Sequence, residues 1–135
     1  MKQHITLIPS NSKNLVLPIQ YNHIVQAMIY NSLDDDLGHF LHEKGFNVQK
    51  RTFKMFAFSR LMGGYIIEKS SQKIVFEGPV TLTVSSPYDV FCNSIASGLL
   101  LQQEVRLGNT KMKVMEVVLE KEVVDTDEIR ISTLS

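Results

Sequence analysis

The sequence is short of cysteine, of long apolar runs and of net charge, and each shortage removes a class of function. One cysteine, Cys92, in 135 residues leaves no partner for an internal disulfide and excludes a thiolate zinc cluster. Cys92 reads as a small core residue. No apolar stretch approaches the roughly 18 residues a membrane-spanning helix needs, and residues 1–9 are polar-interrupted and too short for a signal peptide. The expectation is a soluble cytoplasmic protein with no membrane partner. Fourteen Lys and Arg residues balance fourteen Asp and Glu, so no global field draws the chain to nucleic acid, and any such role must rest on local charge. There is no P-loop, dinucleotide-binding glycine fingerprint, HExxH or EF-hand loop, and no cofactor is expected. The RNA-recognition sheet motif, a basic residue followed by Gly, aromatic, Gly or Ala and Phe, is missing too.

What is present is the composition of a folding chain, 44% apolar and 21% charged, at the length of one domain. Lys2 to Ile8 is strand-like and ends at Pro9, and Leu15 to Leu17 before Pro18 is an extended lead-in. Asn22 is placed to cap a helix whose stripe is Val25, Met28, Ile29 and Leu33, ending near Asp34. Asp34 to Asp36 favour the start of a second helical segment carrying Leu37, Phe40 and Leu41, with Gly45 as its C-cap. From Phe53 to Arg60 the period changes to two, which predicts a strand. Gly63-Gly64 reads as a turn into Tyr65 to Glu68, and Ser70 to Gln72 as a turn into Ile74 to Glu77. Gly78-Pro79 punctuates, and Val80, Leu82 and Val84 form a further strand with one buried face. Ser86-Pro87 with Asp89 opens a helix with Phe91, Ile95 and Leu99 on one side. Glu104 to Leu107, Gly108-Asn109 and Lys111 to Leu119 read as strand, turn and strand, with Ile129 to Ile131 as a last edge. This order predicts an α+β, ferredoxin-like βαββαβ sandwich with an extra hairpin and with its helices on one sheet face. That fold serves enzymes, metal chaperones and RNA binders alike.

Local charge is more informative than the total. Residues 42–60 hold Lys44, Lys50, Arg51, Lys54 and Arg60 against Glu43 alone, whereas Glu116, Glu120, Glu122, Asp125, Asp127 and Glu128 gather toward the C-terminus. Tyr30 falls at the margin of the first helical stripe and His42 at the margin of the second, where a ring can pack while its polar tip is exposed. Histidine exchanges protons near neutrality and lysine stabilises charge developing on a phosphate, so Tyr, His and Lys together can cleave RNA without a metal. The same residues also fit a plainer role: two rings at a core edge, a lysine on a solvated strand and phenylalanines 53, 56 and 58 in the core.

Several runs carry a resemblance: Leu-Pro-Ile-Gln-Tyr-Asn-His at 17–23, Ile29-Tyr30, Phe-Leu-His-Glu-Lys-Gly-Phe at 40–46, Phe-Lys-Met-Phe-Ala-Phe-Ser-Arg-Leu at 53–61, Val-Ser-Ser-Pro at 84–87, Val-Arg-Leu-Gly at 105–108 and Thr-Leu-Ser at 133–135. In this order they resemble the Cas6 family of CRISPR repeat-processing endoribonucleases, over nearly the whole chain. The resemblance implies metal-free cleavage of repeat RNA, the ribose 2′-hydroxyl attacking the adjacent phosphate to leave a cyclic phosphate and a 5′-hydroxyl. It assigns the catalytic positions to Tyr30, His42 and Lys54, usually as base, acid and stabiliser of the phosphorane-like state. A phenol of ordinary pKa, about 10, is a poor base, which leaves open His42 taking either proton with Tyr30 orienting. Lys44, Lys50, Arg51 and Arg60 are the candidate phosphate contacts. The implied partners are CRISPR repeat RNA, a CRISPR effector complex and, as a further option, a second copy in a homodimer. Typical members carry a second ferredoxin-like domain with a glycine-rich loop, so residues 1–135 read as one domain, the N-terminal half of a longer protein. Some members hold RNA without cutting it. A non-catalytic RNA-binding or assembly module is therefore the alternative, and an oligomerisation domain with no RNA role the third reading.

Overall fold

The computed structural model describes residues 1–33, 56–124 and 129–134, with residues 121–124 and 129–134 described by their backbone alone. Strand β1 (Lys2–Pro9) alternates strictly, with Gln3, Ile5, Leu7 and Pro9 buried and His4, Thr6 and Ile8 partly exposed. The lead-in at residues 14–18 is a true strand, β2 (Asn14–Pro18), because Leu15 and Leu17 both point into the core. Helix α1 (Asn22–Ser32) follows, then β3 (Ala57–Phe58), β4 (Met62–Glu68), β5 (Lys73–Ser85), α2 (Asp89–Gln102), β6 (Glu104–Leu107), β7 (Thr110–Val124) and β8 (Ile129–Leu134). The predicted second helical segment lies outside the described residues, as do residues 53–55 of the predicted phenylalanine-rich strand.

Among the described residues all eight strands join one antiparallel sheet, along the path β2-β5-β1-β7-β6, with β3 and β4 on β5 and β8 on β7. β1 lies between β5 and β7, pairing Lys2 to Leu7 with Ser85 to Val80 and Lys2 to Pro9 with Glu120 to Met112. With β3 and β4 beyond β5, this is the strand arrangement of the ferredoxin-like sandwich. The two described helices cover one face: Val25, Met28 and Ile29 of α1 and Phe91, Ile95 and Leu99 of α2 share a core with Ile5, Leu7, Val80, Leu82 and Val84. The other face is polar along its centre. Thr6 and Thr81 hydroxyls stand 3.2 Å apart, and His4 bridges strands, with Nδ1 2.9 Å from the Thr83 hydroxyl and Nε2 2.9 Å from a Glu120 carboxylate oxygen. Gln3 departs from the pattern: it is fully buried on the helix side and neither amide atom has a partner among the described residues.

Several boundaries differ from those the sequence predicts. α1 is preceded by Tyr21 rather than capped by Asn22: the Tyr21 side chain is buried, and its carbonyl accepts from Ile24 and Val25 N–H at 2.9 and 3.2 Å. Core burial of that ring decides where the helix starts. At the second helix the Ser86 hydroxyl accepts from Tyr88 N–H at 3.0 Å, so it closes the turn ahead of α2 instead of capping the helix itself. Gly63-Gly64 is no turn. Both residues lie inside β4, where the pairing with β5 shifts register between Met62 and Gly64. A Cβ on Gly63 would stand 2.9 Å from the Pro79 carbonyl oxygen, so glycine is needed there for backbone approach. Gly78-Pro79 likewise fails to separate two strands, for β5 runs through it with Gly78 at φ +76 while its partners change from β2 to β1.

The two helices touch through a missing side chain. A Cβ on Gly98 would fall 1.8 Å from the carbonyl oxygen of Ser32, the last residue of α1, so the backbone of one helix rests on the other. In an isolated helix Ala is favoured over Gly by about 1 kcal/mol. Here Gly98→Ala must spread the helices, and overpacking of this kind costs about 1–3 kcal/mol. Thermal unfolding of Gly98→Ala should show a melting temperature lower by several degrees; an increase would refute the close approach.

Cys92 is buried as expected, its thiol directed at the Met1 carbonyl 3.7 Å away. Burial raises its pKa above the ordinary 9.0; the Asp89 charge adds to this, while the N-terminal ammonium and a hydrogen bond with the Ser86 backbone oppose it. A raised thiol pKa favours the folded state below about pH 9, and that contribution drains away as pH rises through the folded value. Urea unfolding from pH 8 to 11 should show wild type losing stability faster than Cys92→Ala, by up to about 1.4 kcal/mol per pH unit. Parallel curves would contradict the shift.

Candidate functional site

Tyr30 lies in the last turn of α1, whose end is held by the contact with Gly98, by the Leu33 N–H donating to the Tyr30 carbonyl at 3.2 Å, and by the buried Ser32 hydroxyl donating to the Met28 carbonyl at 2.7 Å. Its ring meets Phe56 edge-on, with centroids 6.2 Å apart and planes at 76°. Phe56 is buried, and Phe58 packs beside it at 6.2 Å, so these two phenylalanines belong to the core or its margin, as expected. Tyr30 remains partly exposed. The phenol-bearing end of α1 therefore sits next to the chain where it enters β3, two positions beyond Lys54 in sequence. His42, Lys44, Lys50, Arg51 and Lys54 lie outside the described residues.

Arg60 is described, and it is less free than a surface phosphate hook. Its guanidinium lies over the Tyr21 ring at 4.6 Å from the centroid and donates to the Ile19 carbonyl at 3.5 Å, the outer limit of a hydrogen bond. Tyr21 in turn is fixed on all sides: it is 1% exposed, its ring meets Phe76 edge-on at 6.1 Å, and its hydroxyl accepts the buried Leu61 N–H at 3.0 Å. Stacking on an aromatic face leaves the in-plane N–H edge of an arginine directed outward. In the sequence Tyr21 falls within the Leu-Pro-Ile-Gln-Tyr-Asn-His run at 17–23, which by itself assigns it no role. On the open face of the sheet Glu116 and Glu120 of β7 stand opposite Thr6 and Lys2 of β1, while Arg106 of β6 stands opposite Lys111 of β7.

An antiparallel sheet with both helices on one face defines a ferredoxin-like α+β domain. The family described as "CRISPR-associated protein Cas6, N-terminal" matches residues 16–118, and the chain belongs to that family. A solved structure described as "CRISPR associated protein Cas6" is similar over 100% of this chain and 62% of its own, at 22% identity and a TM-score of 0.62. A second, "An RAMP protein binding different RNA substrates", aligns with 100% of this chain and 62% of its own, at 16% identity and a TM-score of 0.66. A third, from a study of a Cas6-related gene of Pyrococcus furiosus, aligns with 99% of this chain and 61% of its own, at 16% identity and a TM-score of 0.65. The chain thus spans about three fifths of the length of these structures, and at such identities the likeness is one of fold. Among curated proteins no sequence reaches a significant match.

The Tyr21 hydroxyl allows a direct test of the bond that fixes this ring. Tyr21→Phe keeps the ring but strands the buried Leu61 N–H, a loss of about 1–3 kcal/mol. Chemical denaturation should show that loss with the far-ultraviolet spectrum unchanged, and wild-type stability in the variant would refute the bond.

Proposed function

We propose that the chain supplies the catalytic part of a metal-independent endoribonuclease that cleaves CRISPR repeat RNA in precursor transcripts. Family membership supports the RNA class, and one contact carries the catalytic reading: the Tyr30 ring packed on Phe56, just past Lys54 in sequence, at a margin of the core where Tyr30 stays partly exposed. In this reading the 2′-oxygen of the ribose forms a bond to phosphorus and the bond from phosphorus to the 5′-oxygen breaks. One proton leaves the 2′-hydroxyl and one reaches the departing 5′-oxygen, giving a 2′,3′-cyclic phosphate and a 5′-hydroxyl. His42 is the group suited to exchange those protons near neutrality, with Tyr30 orienting or sharing in the transfer. The Lys54 ammonium would offset the negative charge that accumulates on the phosphoryl oxygens. Lys44, Lys50 and Arg51 are proposed phosphate contacts, which position the strand without reading its bases.

Wild type, His42→Ala, Lys54→Ala and Tyr30→Phe are to be incubated with labelled repeat RNA in EDTA and the product ends identified. Wild type should leave a cyclic phosphate, and His42→Ala should be slower by about 10²–10⁴-fold. Equal cleavage by both would remove His42 from the reaction. RNA bound tightly by wild type but left whole would favour the non-catalytic RNA-binding module.

A further inference from the structure

Beside the connection from β2 to α1 lies an open groove of about 530 Å³, lined by Pro18, Ile19, Gln20, Lys69 and Gln72. Two chain segments form it, the β2–α1 connection and the turn between β4 and β5, and the Ile19 N–H ties them by donating to the Gln72 carbonyl at 3.1 Å. Its lining is of two kinds. Pro18 and Ile19 are apolar, whereas Gln20, Lys69 and Gln72 bring side-chain donors. Arg60 does not itself line the groove, but its guanidinium reaches the carbonyl of Ile19, which does, while its face is held on the buried Tyr21 ring. Glu68, next to Lys69, is the adjoining acid, and its carboxylate accepts from the Ser71 hydroxyl at 3.2 Å.

We infer that this groove is a subsite for one nucleotide of single-stranded RNA, its phosphodiester held by Lys69 and Arg60 and its ribose and base lying against Pro18 and Ile19. The inference rests on the RNA reading above and deepens it. Two cations with an apolar wall between chain segments match a nucleotide better than a free inorganic anion, because single-stranded binding combines a charged track with surfaces for the base. Arg60 is already oriented, so little side-chain freedom is lost when it meets a phosphate. Tyr21 precedes α1 and Tyr30 lies in its last turn, a separation of roughly 13 Å along the helix axis, so the subsite would grip the strand away from the proposed scissile bond.

The test measures affinity of the full chain for labelled repeat RNA between about 50 and 200 mM salt, for wild type, Lys69→Glu, Arg60→Ala and the charge-matched control Lys113→Glu on β7. Circular dichroism confirms that each variant is folded. Lys69→Glu and Arg60→Ala should each weaken binding about tenfold and lower the salt slope by about one, with a smaller effect from Lys113→Glu. A loss from Lys113→Glu as large as that from Lys69→Glu would reduce the effect to general electrostatics and overturn the subsite, as would unchanged affinity in both groove variants. A separate titration with tripolyphosphate follows the backbone amide resonances of Ile19, Gln20, Lys69 and Gln72. Shifts in wild type that vanish in Lys69→Glu support the groove as the anion site. Should wild type show those shifts yet bind no repeat RNA, the RNA reading fails and the groove's affinity for phosphate stands. Should RNA bind while the amides and both variants stay unaffected, the subsite fails and the RNA reading stands.

Discussion

The approach of Gly98 to Ser32 is the constraint on which the arrangement of α1 depends. Helices packed through side chains usually stand 8–10 Å apart, and a glycine at the crossing lets backbone meet backbone more closely. That contact falls at the last residue of α1, where frayed carbonyls would otherwise turn to solvent. The same turn carries Tyr30, and a ring on a frayed turn could not keep a fixed edge toward Phe56. Close packing at position 98 and a defined ring geometry at position 30 are therefore one requirement, met from two elements far apart in sequence.

A second fixed point lies at the opposite end of α1. Tyr21 buries a large ring and hands its hydroxyl to a backbone N–H that core burial has removed from water. The entry to the helix is thereby tied to the start of β4 through Leu61, and Arg60 is carried over the same ring as its cover. Exposed arginines usually spend conformational freedom when they bind an anion; here stacking has already restricted it. The two ends of one helix are thus anchored by different chemistry, glycine packing at one and an aromatic hydrogen bond at the other.

Much of this fold is legible in the sequence wherever one face is buried and the other wet. β1, the β6–β7 hairpin and α2 follow their periodicities because burial is one-sided in each. The departures at Gly63-Gly64 and Gly78-Pro79 share a cause, the reading of glycine and proline as local punctuation. Gly63 and Gly78-Pro79 serve pairing between strands, a demand made by β5 and its neighbours that no local window contains. Gly98 could have been flagged by its cost within a helix, which in a folded protein implies a packing reason. The family resemblance rests on ordered motifs and is matched by the family assignment over residues 16–118. Of the site residues singled out, Tyr30 and Arg60 lie among the described residues, and Arg60 acquired a partner in Tyr21 that charge counting cannot foresee.

The two tyrosines at the ends of α1 show how burial separates a structural role from the chemical one proposed for Tyr30. Tyr21 is closed off, its hydroxyl committed to the backbone and its ring enclosed on one face and covered by a cation on the other. A phenol so placed cannot meet a substrate without unfolding its surroundings. Tyr30 packs its ring edge-on against Phe56 and keeps part of its surface in solvent. A group that must touch a polynucleotide needs this compromise, because a fully exposed side chain is not positioned and a fully buried one is not reachable. Of the two, Tyr30 alone meets both conditions, and it does so where the chain that has just passed Lys54 returns to the sheet.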